Sequence, residues 1–274
     1  MAARQTSGEQ AILAFASLQE GVVQPGLAVP NFVDPALITT AITKALDEVA
    51  ARDTELTLVV PDAAVRVLIL DFDSLPAKTQ EALPIVRFRL RKLTPFDVDD
   101  AAVSYQPMSP HQGQTRVLVT VMPAAIRAEY EGVVRAAGYE PGVLLPSTLA
   151  ALPTLPSGDA ALVVNRNGRS LTTAITNGDE LLLHRTLELP VKEDSRREDL
   201  GQAVSVAAAY FEDMLHVEPR VLYYVGPGGA EDFARQLGAE PDGMVRDLVL
   251  TPATGVVSAI PKGLTAGVMG ALAS

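Results

Sequence analysis

Apolar side chains recur at Leu37, Ile38, Ile42, Leu46 and Val49, a spacing that gathers them on one face of a helix. Asp34 is placed to cap that helix, and Pro35 suits its first position. Ahead of it, residues 3–24 read as a β-hairpin turning at Ser7-Gly8, with residues 11–18 as its β-prone arm. Behind it, LTLVVPD (residues 56–62) is a short unbroken apolar run of the kind buried on both faces. Strand, helix and buried strand together make an α/β pattern.

From Ala63 the pattern changes. VRVLILDF alternates, so one face of that strand meets solvent. A helix over residues 77–93 follows, restarting or kinking at Pro84. AAVSYQPM and TRVLVTVM are strands, and PAAIRAEYEGVVRAAGY is a helix closed by Gly138. Residues 63–142 therefore read as an α+β unit inserted into the α/β pattern. Residues 157–189 then predict three strands with tight turns at Asn167-Gly168 and Asn177-Gly178. KEDSRRED reads as a solvated surface loop ahead of a helix over 200–215. RVLYYVGPGG is an apolar strand ending in glycines, and PKGLTAGVMGALAS a closing helix of small residues. Hairpin, helix, strand occurs in the first half and again in the second, so the chain carries a weak duplication.

Composition narrows the reading. The 274 residues are 48% hydrophobic, enough for a substantial core, and carry a net charge of −11. That balance argues against sequence-independent nucleic-acid binding, which needs clustered Lys and Arg on phosphates. There is no Cys, which excludes disulfides and thiolate metal sites and fits a reducing cytosol. His111, His184 and His216 have no metal-ligand spacing and read as structural. No apolar run approaches the ~20 residues of a bilayer span, so a cytoplasmic protein that meets a membrane only through a partner is expected. No nucleophile–base pair stands out, which makes catalysis the poorer expectation.

One joint is unusual for an acidic chain. RFRLRK (residues 87–92) places four basic residues in six positions and runs into Pro95, Phe96 and the acids Asp97, Asp99 and Asp100. On a helix, Val86, Leu90 and Leu93 share an apolar face, while Arg87 and Arg91 form an i, i+4 pair of like charge. Such a pair calls for acidic partners, either the neighbouring aspartates or another molecule.

The segment LPAKTQEALPIVRFRLRKLTPFDVDDAAVSYQ resembles the helix–turn–strand segment of PilM-like type IV pilus assembly proteins. Pro95, Phe96, Asp97, Val98, Asp99 and Tyr105 carry the likeness. In the same order, VLVTVMPAAIRAEYEGVVRAAGYEP, PSTLAAL and RVLYYVGPGG resemble that family's strand–helix unit, linking helix and glycine-rich turn. The family belongs to the actin-like ATPase superfamily and is related to FtsA and the GspL cytoplasmic domain.

The resemblance implies an α/β, actin-like (ribonuclease H-like) fold of two lobes. Residues 1–62 with 143–158 would form subdomain 1A without its first strand, and 63–142 the inserted subdomain 1C. Residues 159–274 would form subdomains 2A and 2B, with 2B short at about 190–219. It also implies a cytoplasmic scaffold of the pilus inner-membrane assembly complex, alongside other pilus assembly proteins and open to self-association. That scaffold binds the N-terminal peptide of a PilN-like membrane protein, commonly with an Asn-Leu-Leu-Pro core, in a groove between 1A and 1C. Arg87, Phe88, Arg91, Pro95, Phe96 and Val98 are the residues it brings to that peptide. For ATP or ADP with Mg²⁺ it points to Asn167, Gly168, Arg169 and Ser170 and to Gly226, Gly228 and Gly229. Asn167 stands where the family's loop has an acid and Arg169 where it has glycine, so the nucleotide site reads as degenerate, and NRNGRS is also the chemistry of a plain hairpin turn. Rivals on the same superfold are a secretion protein of the GspL kind, which continues into a membrane span where this chain ends in GLTAGVMGALAS, a nucleotide-dependent kinase and a filament former.

Overall fold

The first lobe opens with the strands β1 (Ala2–Gln5) and β2 (Ala11–Ala14), then α1 (Pro35–Glu48) and β3 (Glu55–Val60). The structure is a computed structural model that describes residues 1–5, 11–49, 54–156, 158–238, 244–249, 261 and 263–273. The expected Ser7-Gly8 turn lies outside them. Helix α1 forms as its capping signals predict: Asp34 Oδ1 accepts from the amides of Ala36 and Leu37 at 3.0 and 3.3 Å. An antiparallel unit follows, made of β4 (Arg66–Phe72), α2 (Thr79–Leu90), β5 (Ala102–Pro107) and β6 (Thr115–Met122). Then α3 (Ala124–Ala136) and β7 (Glu140–Pro146) return to the first lobe, and α4 (Ser147–Ala151) leads out of it.

The second lobe holds β8 (Ala160–Asn167), β9 (Ser170–Asn177), β10 (Glu180–Glu188), α5 (Glu193–Leu215), β11 (Leu222–Val225), α6 (Gly229–Leu237) and β12 (Val245–Asp247). Helix α7 (Ala266–Ala273) runs back against β1, β3 and α4. Its glycines are set by that contact, since a Cβ on Gly270 would lie 1.9 Å from the Ala150 carbonyl oxygen.

Sheet order in the second lobe is β10-β9-β8-β11-β12, with β8 antiparallel to β9 and parallel to β11. Both faces are covered. Leu162, Val164, Leu171, Ile175 and Tyr224 pack with Leu200, Ala207, Phe211 and Phe233 of α5 and α6. Val163, Ala174 and Val225 pack with Ala151 of α4 and Ala266 of α7. The strands are therefore apolar at successive positions, as buried strands must be. In the first lobe β1 pairs β2 antiparallel, β3 pairs β7 parallel, and the inserted sheet is β4-β6-β5.

Several local expectations are corrected. Helix α2 is continuous through Pro84 and does not restart there. It ends at Leu90, so Val86 and Leu90 are buried while Leu93 is 40% exposed. Helix α3 packs on α1 through Ile126, Tyr130 and Val133. The two-residue hairpin loops are Gly168-Arg169 and Gly178-Asp179, each starting with a positive-φ glycine, which is type II′ chemistry in place of the expected Asn-Gly I′ turns. KEDSRRED is no loop: Glu193 begins α5, and that helix lies on β8 and β9.

Candidate functional site

The two lobes meet at a buried carboxylate. Asp62 follows β3 in a single 3-10 turn and is 1% exposed. It accepts hydrogen bonds from Ser147 Oγ (2.9 Å), Thr148 N (3.0 Å), Thr148 Oγ1 (2.6 Å) and Asn165 Nδ2 (3.3 Å). Asn165 Nδ2 also donates to both hydroxyls at 2.9 Å, so each hydroxyl gives its proton to Asp62 and receives one from Asn165. Asn167 Nδ2 donates to Ser147 Oγ at 2.8 Å and extends the chain of bonds to the β8–β9 turn. Asp62 thus caps the N-terminus of α4, which has no side-chain cap of its own.

His184 completes the cluster from β10. Its side chain is 2% exposed, and Nε2 lies 3.9 Å from Asp62 Oδ1 without a hydrogen-bond partner. Burial lowers the imidazole pKa, and the Asp62 charge only partly opposes it. Ser147 bonds to Asp62 and not to His184, so no nucleophile–base relay is assembled. Among the described residues no group of acids and histidines has the arrangement of a metal site.

The residues expected at a nucleotide are committed elsewhere. Asn167 belongs to the cluster above. Arg169 turns outward, donating from Nε to the Leu189 carbonyl and pairing with Glu188 at 2.9 Å. Ser170 is buried at the start of β9, and Gly168 forms the turn. Gly226 donates to the Gly263 carbonyl at 2.8 Å, and the two glycines pack backbone to backbone. Gly228 caps α6 in a left-handed conformation and Gly229 begins it. At that helix N-terminus Asp247 Oδ1 accepts from the Ala230 amide at 2.8 Å. A carboxylate of the chain occupies the place where a helix would hold a phosphate, and its charge repels one. Among the described residues, those expected at the nucleotide do not fit a magnesium–nucleotide complex.

At the basic joint, Arg87 reaches across to the following loop. Its guanidinium donates to the carbonyls of Val98, Asp99 (3.3 Å) and Ala101 (3.0 Å). Arg91 pairs with Asp99 at 2.7 Å on the surface. Val98 is fully buried, Phe96 packs half-buried on the same small core, and Pro95 is exposed. Phe88 is 63% exposed with Lys92 Nζ 5.9 Å over its ring. Arg87, Phe88 and Arg91 line a surface depression with Pro84 and Asp99.

A larger groove of about 990 Å³ contains none of these residues. Met108 and Leu118 of the inserted unit, Leu145 of β7, Leu149 and Leu152 of the linker and Leu181 of β10 give it apolar walls. Asp179 and Glu180 stand at its rim, and the buried Thr176 hydroxyl, without a hydrogen-bond partner, also lines it. Sequence reading missed this groove and missed Asp62. An acid ending an apolar strand was the available signal for Asp62, since strand ends are where α/β folds gather polar groups.

No family model matches the chain, and no curated protein matches it in sequence. Among solved structures it is similar to a chain of the PilM-PilN type IV pilus biogenesis complex, at 20% identity and a TM-score of 0.75 over 98% of this chain and 94% of that one. It is also similar to the cytoplasmic domain of EpsL, an inner-membrane component of the Vibrio cholerae type II secretion system. There the identity is 15% and the TM-score 0.51, over 86% of this chain and 81% of that one. The fold is thus the actin-like fold that the sequence resemblance implied, in the form seen in the PilM-PilN complex.

Proposed function

We propose that this protein is an actin-like docking scaffold of a type IV pilus assembly, which holds the N-terminal tail of a PilN-like inner-membrane protein without needing a nucleotide. The observation that carries this reading is the groove of about 990 Å³ between the inserted unit, the linker and the second lobe. Its walls suit an extended peptide with leucine-like side chains. The acids Asp179 and Glu180 at the rim favour a basic flank on the peptide. The hydrogen bonds that Asp62 receives from Ser147, Thr148 and Asn165 and the capping of α6 by Asp247 support independence from nucleotide. The likeness to a structure containing both PilM and PilN favours the pilus over the secretion machinery, whose component gives the lower similarity.

Calorimetric titration with a synthetic tail carrying an Asn-Leu-Leu-Pro core tests the proposal. Binding should be weakened at least tenfold by Met108→Glu or Leu152→Glu and left within twofold by 5 mM magnesium–ATP. Equal affinity in wild type and both variants would remove the groove as the docking site. Binding that appears only with nucleotide would overturn the second half of the reading.

A further inference from the structure

The four basic residues of α2 and its end do not share one role. Arg87 and Arg91 are turned to the loop that follows the helix, one held by backbone carbonyls and the other by Asp99. Arg89 and Lys92 project from the exposed face, and among the described residues neither is paired with an acid. Asp73 shares a surface depression with Arg89, but it accepts a hydrogen bond from Gln114 Nε2 at 2.8 Å. Lys92 sits over the Phe88 ring, its Nζ 5.9 Å from the centroid. Ile85, one turn before Arg89, is also exposed, and Glu81 at the start of this face is paired with Lys78 at 3.4 Å.

This face is turned away from the groove. Val117, Val119 and Val121 of β6 pack with Val86 and Leu90 of α2, whereas Leu118, between them, lines the groove with Met108. Helix α2 therefore covers the side of the small sheet opposite to the groove, and a tail seated in the groove leaves α2 free. Two apolar side chains set between two unpaired cations on a convex helix face suit a bilayer surface. The ring enters the headgroup layer while the cations meet lipid phosphates. A bilayer conforms to a convex face, whereas a folded protein partner needs a matching hollow.

We propose that the outward face of α2 is a contact for an anionic membrane surface, with Ile85 and Phe88 at headgroup depth and Arg89 and Lys92 on lipid phosphates. The inference rests on the reading that the chain docks on the tail of an inner-membrane protein, which brings a bilayer within reach. The net charge of −11 opposes free adsorption, so the contact is weak by itself. A tethering tail raises the local concentration of lipid until a weak contact holds. Acids further from the surface than the Debye length, about 10 Å at 0.1 M salt, are screened. The tail then fixes one point and α2 a second, which sets a single orientation of the scaffold on the membrane.

The chain has no tryptophan, so Phe88→Trp places a single reporter on this face. With phosphatidylcholine vesicles containing about 30% phosphatidylglycerol in 100 mM NaCl, its emission should shift to the blue and be quenched by brominated acyl chains. Pure phosphatidylcholine, or 500 mM NaCl, should abolish the shift. Arg89→Glu with Lys92→Glu, added to the reporter, should remove it and leave the unfolding midpoint unchanged. No shift with the anionic vesicles, or a shift that survives both glutamates, would overturn the proposal. A shift with a soluble helical peptide of Glu and Leu but none with vesicles would overturn it in favour of an acidic protein partner. Met108→Glu in the reporter chain should keep the lipid shift while it weakens tail binding in the groove, so failure of tail docking and failure of lipid contact are read separately.

Discussion

The two lobes end their parallel strands with the same device and use it to different depths. After β3, Asp62 turns back to cap α4; at the end of β12, Asp247 caps α6. Asp247 is half-buried and accepts one amide hydrogen bond, whereas Asp62 is sealed from water and accepts four. One carboxylate caps a helix locally, and the other joins three separate parts of the chain. The difference lies in what surrounds each cap. Ser147, Thr148 and Asn165 turn toward Asp62, and together they replace the water that a carboxylate would otherwise need.

Removing each carboxylate should separate the two roles most sharply. Asp62→Ala leaves a buried amide and the protons of two hydroxyls without their acceptor, and should cost about 3 kcal/mol or more. Asp247→Ala removes a single cap and should cost about 1 kcal/mol. Guanidinium denaturation of both variants measures the gap. Equal costs would show that the Asp62 cluster is no more than a helix cap.

The comparison also explains what could be read in advance. Helix α1 was legible because Asp34 and Pro35 act within four residues of each other, and local capping chemistry carries its own signal. The strands β3 to β6 and β8 to β11 followed from apolar runs and turn residues in the same way, whereas β7 and β12 were not expected. Asp62 was not legible, since its partners lie 85 to 103 residues away and only the fold brings them together. The groove failed for the same reason: its walls come from the inserted unit, β7, the linker and the β9–β10 hairpin. At the basic joint the sequence raised the right question, where the charges of Arg87 and Arg91 find partners. It looked for acidic side chains, and the structure answers with backbone carbonyls for Arg87.

Acid sharpens the contrast between the caps through His184, whose Nε2 lies 3.9 Å from Asp62. Its imidazole has a folded-state pKa below the ordinary value because burial disfavours the charged form. The unfolded chain therefore binds that proton more readily, and stability increases with pH across the window. It is fully present above about pH 6.5 and falls as pH drops from there toward the depressed folded value. Urea midpoints at pH 7.5 and 5.5 should decline in the wild type and decline less in His184→Leu, which also removes an unpartnered buried nitrogen. An identical decline in both proteins would place the acid sensitivity elsewhere.

The smallest effect concerns Arg87 and Arg91, one helical turn apart on α2. Arg87 is half-buried and ties down three successive parts of the loop that follows the helix. Arg87→Ala leaves those carbonyls without their donor and should cost about 2 kcal/mol, a charged donor being worth more than a neutral one. Arg91 is exposed and pairs with Asp99, itself exposed, so water and salt replace the pair readily. Its alanine variant should unfold at the wild-type midpoint. The same two variants then serve the docking question, because Arg91 and the exposed Phe88 can be changed without disturbing the fold. Titrating the tail peptide into Arg91→Ala and Phe88→Ala separates the α2 face from the groove. Unchanged affinity leaves the groove as the docking site, and a tenfold loss moves docking to α2.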